Sequence, residues 1–467
     1  MFFLATACYA YCQEIYFLIA PVVLLLILFL IQHPHYLFYL LIASIPWSFE
    51  FNFSSTLGTD LPDEPLMLLG SLVVFIYFFH RSKELQIKSI HPLSLIVLLQ
   101  ILWTVVTVTT STDFILSIKY LLAKSWYLLA FFVLPLLLFR DINFLRKAMF
   151  LFLCSMLAVT TIILTRQAAN GWSFAEVNQS VRPFFRNHVN YSSLLIFMVP
   201  LLLAVTRLTG SKKLKWILYF VLAGTFLAIY LSYARGAWLA LLAGLIAYWL
   251  LHKRILFFSF LFFLVVIVVG LFWVKSGNRF ITFSNDYKST IYHSNFEEHI
   301  VATYKLKDLS NAERIYRWIA AVRMVGDSWK TGFGPSTFYY QYKSYTLPAF
   351  KTYVSNNSEK STVHNYFLLM LVEQGIIGGL LFIGLITAMF YYVQKIYFRT
   401  EEKFWKVVSA CIASIMAMQC VINFLSDMIE TDKVGSVFYL CLAVLVIADS
   451  ITREEKSNPS PNIESIS

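Results

Sequence analysis

RDINFLRKAMFLFLCSMLAVTTIILT, residues 140–165, decides the fold. A basic head, RDINFLRK, leads into an apolar run long enough to cross a hydrocarbon layer of roughly 30 Å as a helix. Similar runs recur near 15–31, 36–48, 65–80, 93–110, 117–139, 189–206, 214–231, 236–251, 254–274, 363–392, 404–424 and 434–449. The basic head repeats as well, in RSKELQIK (81–88), RLTGSKKLK (207–215), HKR (252–254) and the Lys/Arg-bearing stretch 395–406. Lysine and arginine concentrate in the cytoplasmic loops of membrane proteins, which places these loops inside. The alternate loops, FEFNFSSTLGTDLPDEP (49–65), STDF (111–114) and SDMIETD (426–432), are acidic or neutral and face outward.

Composition agrees. Of 467 residues, 59% are hydrophobic, 17% aromatic and only 13% charged, which excludes a soluble globular domain. The net charge of +11 is then a property of the inner loops and does not indicate a nucleic-acid partner. Cys8, Cys12, Cys154, Cys411, Cys420 and Cys441 lie in or beside apolar segments at spacings that suit no metal site, and read as small apolar fillers. The N-terminus lacks a basic n-region and a small-residue cleavage site, so a removable signal peptide is not expected.

The expected fold is an all-α integral membrane protein, a polytopic bundle of about 12 or 13 transmembrane helices with one large outer loop. Residues 1–274 carry about ten spans, 275–362 the loop, 363–450 the C-terminal spans and 451–467 a disordered cytoplasmic tail. The topology of the first two spans stays open, because the second is short. The loop, roughly 90 residues, is too long to be a mere connection. Inside it SNAERIYRWIAAVRM has helical periodicity, and Ser310 with Glu313 has capping-box spacing that sets a helix start there.

Four groups of residues could carry chemistry. Arg235, in LSYARGAWLALL, lies where one span ends and the next begins. A guanidinium there can grip a phosphate with two parallel bonds, or anchor the helix at the interface. Arg314, Arg317 and Trp318 share one helix face and could clamp a diphosphate and stack on sugar; a solvated face paired with Glu313 and an interfacial aromatic belt are the plainer readings. His364 and Asn365 stand at the mouth of a span, where the helix dipole favours a neutral imidazole able to accept a proton, although a structural histidine fits too. Arg182, Arg186, Asn187, His188 and Asn190, in VRPFFRNHVNYSS, could widen a positive funnel. Glu373, about 13 Å deeper than His364 on an ideal helix, reads with the glycines of EQGIIGG as packing and a buried polar contact. No D-x-D, Walker A, H-E-x-x-H or suitably placed G-x-S-x-G motif is present, so neither metal nor cofactor is expected.

ARGAW, then a long outer loop with S-x-x-x-R-x-x-x-W and GFGPSTF, then HNYFLLMLVEQGIIG, resembles the O-antigen ligase and O-antigen polymerase superfamily of bacterial inner-membrane glycosyltransferases, over roughly residues 185–390. The resemblance implies an undecaprenyl-diphosphate-linked glycan as donor and a lipid A core or another glycan as acceptor, joined on the periplasmic face by an inverting, metal-independent transfer. It implies that Arg235 and Arg314 hold the diphosphate and that His364 lies at the catalytic centre, with Arg317, Trp318, Asn365, Arg186, Asn187 and Asn190 binding substrate. A repeat-unit polymerase is the alternative activity within the superfamily. The protein-glycosylating branch tends to carry a larger C-terminal extension. A lipid or polysaccharide transporter is the rival from another class, and a structural assembly partner a third possibility. Transporters typically show repeated halves and interrupted helices, and no long repeat is visible here.

Overall fold

The computed structural model describes residues 16–52, 58–80, 90–139, 141–275, 309–351, 355 and 362–457. The basic loop at 81–88, Arg140, Cys8, Cys12, much of the outer loop and the tail after residue 457 lie outside them. In chain order the helices are α1 (Tyr16–Gln32), α2 (Pro34–Ser44), α3 (Asp63–His80), α4 (Pro92–Thr109), α5 (Phe114–Leu138, with a π-turn at Leu129–Val133), α6 (Ile142–Ala169), α7 (Val177–Val181), α8 (His188–Leu208), α9 (Lys212–Leu231), α10 (Arg235–His252), α11 (Leu256–Lys275), α12 (Leu309–Asp327), α13 (Phe338–Gln341), α14 (Tyr366–Arg399), α15 (Lys403–Leu425) and α16 (Asp432–Ser457). Among the described residues the only strands are Phe49–Asn52 and Gly58–Leu61, paired antiparallel with Phe49 opposite Leu61.

The protein is thus all-α and polytopic. Ten described helices are long and apolar enough to cross a membrane, and the bent pair α1–α2 makes eleven. The reading of about 12 or 13 counts α1 and α2 separately and takes α11 in full. The pair bends by 110°. Pro34 explains the break, since a proline pushes the residue before it out of helical geometry, and His33 sits at φ −123°, ψ 68°. The described apolar stretch of α11 is Leu256–Gly270. Large side chains such as Phe220 and Phe262 are 81% and 70% exposed, the side chains that meet lipid in a spanning helix.

The chain divides into two compact units, residues 1–87 with 125–159 and residues 88–124 with 160–467. In the first, α3 lies against the π-turn of α5, where Gly70 comes close to Leu134 and Ala130. Ser155 donates a hydrogen bond to the Ala43 carbonyl. The second unit holds all the candidate site residues. There α10 seats on α15 through Gly236, Ala240 and Gly244, small residues at four-residue spacing that let two backbones approach. A Cβ on Gly244 would stand 2.4 Å from the Met418 side chain.

α14 departs most from expectation. Its 34 residues would make a straight rod of about 51 Å, far more than a bilayer core needs. Gly375, at φ 68° and ψ −171°, breaks it. The run before the break folds back on the run after it: Leu371 abuts Gly379, and the rings of Tyr366 and Phe367 pack on Phe382 at 4.8 and 5.5 Å. The expected single span over 363–392 is therefore a helical hairpin followed by a span, and Glu373 sits near its apex. Its placement below His364 along a continuous span is corrected accordingly.

Candidate active site

α12 begins at Leu309, one residue before the expected start, and the Ser310 side chain lies outside the described residues. Glu313 is held by side chains. Its Oε2 accepts from Arg317 Nη2 at 2.9 Å and its Oε1 from Ser355 Oγ at 2.5 Å. Arg317 also bonds the Tyr342 hydroxyl, and Arg314 donates to Asn311 Oδ1 at 3.1 Å. A buried carboxylate with two donors fixes a guanidinium far better than a solvated pair does. The plainer reading of this face, a solvated helix surface, is therefore corrected for Arg317. Trp318 packs on Phe424 in a T-shaped ring contact at 5.5 Å.

His364 lies just before α14 with φ 54°, a left-handed backbone that a residue with a Cβ adopts only when its surroundings hold it there. Those surroundings are identifiable. The His364 amide donates to Thr362 Oγ1 at 3.4 Å, and Asp427 bonds the Thr362 hydroxyl. Asn365 is the N-cap of α14, accepting from the Leu368 amide at 3.1 Å. The Tyr366 amide donates to the Ser426 carbonyl at 3.2 Å. Burial, then the charges of Arg317 and Arg314, push the imidazole down to about 3. Burial and the two guanidiniums favour the neutral form of the imidazole. Burial also raises the Asp427 carboxyl.

Arg235 opens α10, half-buried, one residue before the glycine that meets Leu425. The end of α15 is where the elements converge. Phe424 takes Trp318, Leu425 takes Gly236, and Ser426 takes Tyr366. The charges of Arg317 and Arg314 thus reach the His364 imidazole, and Gly236, next to Arg235, meets the same helix end.

The 182–190 segment adjoins this end and is built differently. Asn187 caps α8, its Oδ1 accepting from the Asn190 backbone amide at 3.0 Å, so the Asn187 side chain serves the backbone. His188 pairs with Asn178 at 2.8 Å, and its ring neighbours Phe174, which packs on Tyr233 just before Arg235. Arg186 is exposed. Lys433, at the start of α16, lies over the Phe185 ring at 4.9 Å.

Glu373 is buried and accepts from the amides of Ser336 and Phe338 at 2.8 and 3.1 Å. It is the buried polar contact that the sequence suggests. The loop it holds, TGFGPST, also lies along the apex of α14, where the Phe333 and Gly334 amides donate to the Val372 and Glu373 carbonyls. Sequence reasoning misses Lys124, Tyr120 and Glu430, which form a half-buried polar cluster against Tyr366 at the start of α14. A lysine inside the apolar run 117–139 is the signal that finds it.

These features define a polytopic membrane protein with a cationic, imidazole-bearing site where several helices end together. Residues 218–383 match the family model described as O-antigen ligase, which supports the chain's place in the O-antigen ligase superfamily. The match spans Arg235, Arg314, Arg317, Trp318, His364 and Asn365, and leaves Arg186, Asn187 and Asn190 outside it. No curated protein matches the chain.

Proposed function

We propose that the protein is an inverting, metal-independent glycosyltransferase of the O-antigen ligase type. It moves a glycan from an undecaprenyl-diphosphate donor to an acceptor hydroxyl on the lipid A core, at the periplasmic face of a bacterial inner membrane. The donor enters from the bilayer, held by its lipid. Arg235 and Arg314 grip the diphosphate, with Arg317, fixed by Glu313, beside them. The acceptor oxygen attacks the anomeric carbon from the side opposite the phosphate. As that bond forms, the bond from the anomeric carbon to the phosphate oxygen breaks, and its electron pair leaves with the lipid diphosphate. His364 takes the hydroxyl proton. An imidazole held at about 3 is a weak base alone. A bound diphosphate offsets the guanidinium charges and raises its basicity once the donor is in place.

The observation that carries this reading is an imidazole at the start of α14 whose proton affinity is lowered by burial and by two guanidiniums, Arg317 and Arg314, both on α12. The test uses purified protein in liposomes with lipid-linked donor and a core acceptor. Wild type transfers glycan, and Arg314→Ala and Arg235→Ala fall by roughly 100-fold or more. Wild-type rates in both variants contradict the assignment. Joining of donor units to one another marks a polymerase, and translocation without transfer marks a transporter.

A further inference from the structure

Lys124 lies close to the midpoint of α5, where a charge is costly unless partnered. Its Nζ pairs with Glu430 Oε1 at 3.2 Å and donates to the Tyr366 hydroxyl at 3.4 Å. Tyr120, one turn earlier on the same helix, donates to the same Glu430 oxygen at 3.0 Å. The rings of Tyr120, Tyr366 and Tyr439 surround the ammonium at 5.4 to 5.8 Å.

Glu430 closes the turn between α15 and α16. Within that turn the Glu430 amide donates to the Asp427 carbonyl at 3.1 Å, and the Ile429 amide to Asn423 Oδ1 at 2.9 Å. The front of the same turn holds both flanks of His364. Ser426 takes the Tyr366 amide, and Asp427 takes Thr362. A histidine in a left-handed conformation keeps it only while both flanks are fixed. Lys124 fixes the far end of the turn and, through the Tyr366 hydroxyl, the start of α14.

We propose that Lys124 is a positioning residue for His364, acting through Glu430 and the turn at 426–431. This rests on the reading of His364 as the base. Lys124 touches no reacting atom, so its loss acts on turnover and leaves donor binding alone.

The test measures kcat and KM for wild type, Lys124→Met, Lys124→Arg, Glu430→Gln and the double variant K124M/E430Q, in liposomes with lipid-diphosphate-linked donor and glycan acceptor. The expected result is a loss in kcat of about tenfold or more for Lys124→Met, with donor KM within about twofold. Lys124→Arg, which keeps the charge, recovers most of the rate. The double variant is no slower than Lys124→Met, because both changes break one coupling. Full activity in Lys124→Met, a loss confined to KM, or losses that multiply in the double variant overturn the proposal. If Lys124→Met does not fold, Lys124→Arg and Glu430→Gln decide it: an active arginine variant with a kcat-only loss in Glu430→Gln supports it, and any other pattern overturns it. A wild type that transfers nothing overturns the glycosyltransferase reading and, with it, this proposal. An active wild type with an unaffected Lys124→Met overturns this proposal alone.

Discussion

At the scale of the residue, His364 is the most constrained group in the site. Its imidazole ordinarily titrates near 6.5, and the folded protein holds it at about 3. The unfolded chain therefore takes up a proton as pH falls through 6.5, while the folded chain does not do so until about 3. Stability from this group is fully present above 6.5 and is lost progressively as pH falls toward 3. Thermal unfolding in detergent is expected to show a lower midpoint at pH 5 than at pH 7, and His364→Gln, which does not titrate, flattens that dependence. An unchanged slope in the glutamine variant contradicts the assignment. The candidates His364, Arg314 and Arg317 were legible as residue types able to do acid–base and phosphate chemistry. That Glu313 holds Arg317 was not, because the four-residue spacing suits a solvated pair equally well, and only burial with Ser355 separates the two. The role of Asn187 in capping α8 was hidden for a similar reason: a polar residue before an apolar run suits a cap and a substrate equally.

At the scale of the element, hydropathy located the helices and missed the break in α14. Both halves around Gly375 are apolar, so a window average cannot see a turn whose only sign is one glycine. The glycine is required twice over, by its positive φ and because a Cβ there would lie 2.1 Å from the Lys330 carbonyl oxygen. Gly375→Ala is expected to cost about 2 kcal/mol or more of stability, from the left-handed backbone and the clash together. Gly384, nine residues beyond Gly375, has nothing within 4 Å of the position a Cβ would take, and Gly384→Ala is expected to be neutral or to stabilise by up to about 1 kcal/mol. Thermal midpoints of the two variants, measured side by side, check this. Equal effects contradict the account of the hairpin. Lys124 escaped notice at this scale, since a single lysine does little to the mean hydropathy of α5, although the cost of burying its charge marks it out.

At the scale of the whole molecule, composition and the alternation of basic with acidic loops were enough for an all-α polytopic membrane protein, and ten long apolar helices bear that out. The clustering of the site was legible only through a family resemblance, because Arg235, Arg314 and His364 are separated by long stretches of chain and no spacing rule joins them. The end of α15 meets a near neighbour of each in the chain, Trp318 at Phe424, Gly236 at Leu425 and Tyr366 at Ser426. If one pocket performs the transfer, grip and proton removal are separable. The most direct measurement is a single turnover with donor already bound to His364→Ala in liposomes, started by adding acceptor. The account predicts donor affinity close to wild type and a transfer rate lower by roughly 100-fold or more. Transfer at the wild-type rate by a folded, donor-loaded His364→Ala protein would contradict it.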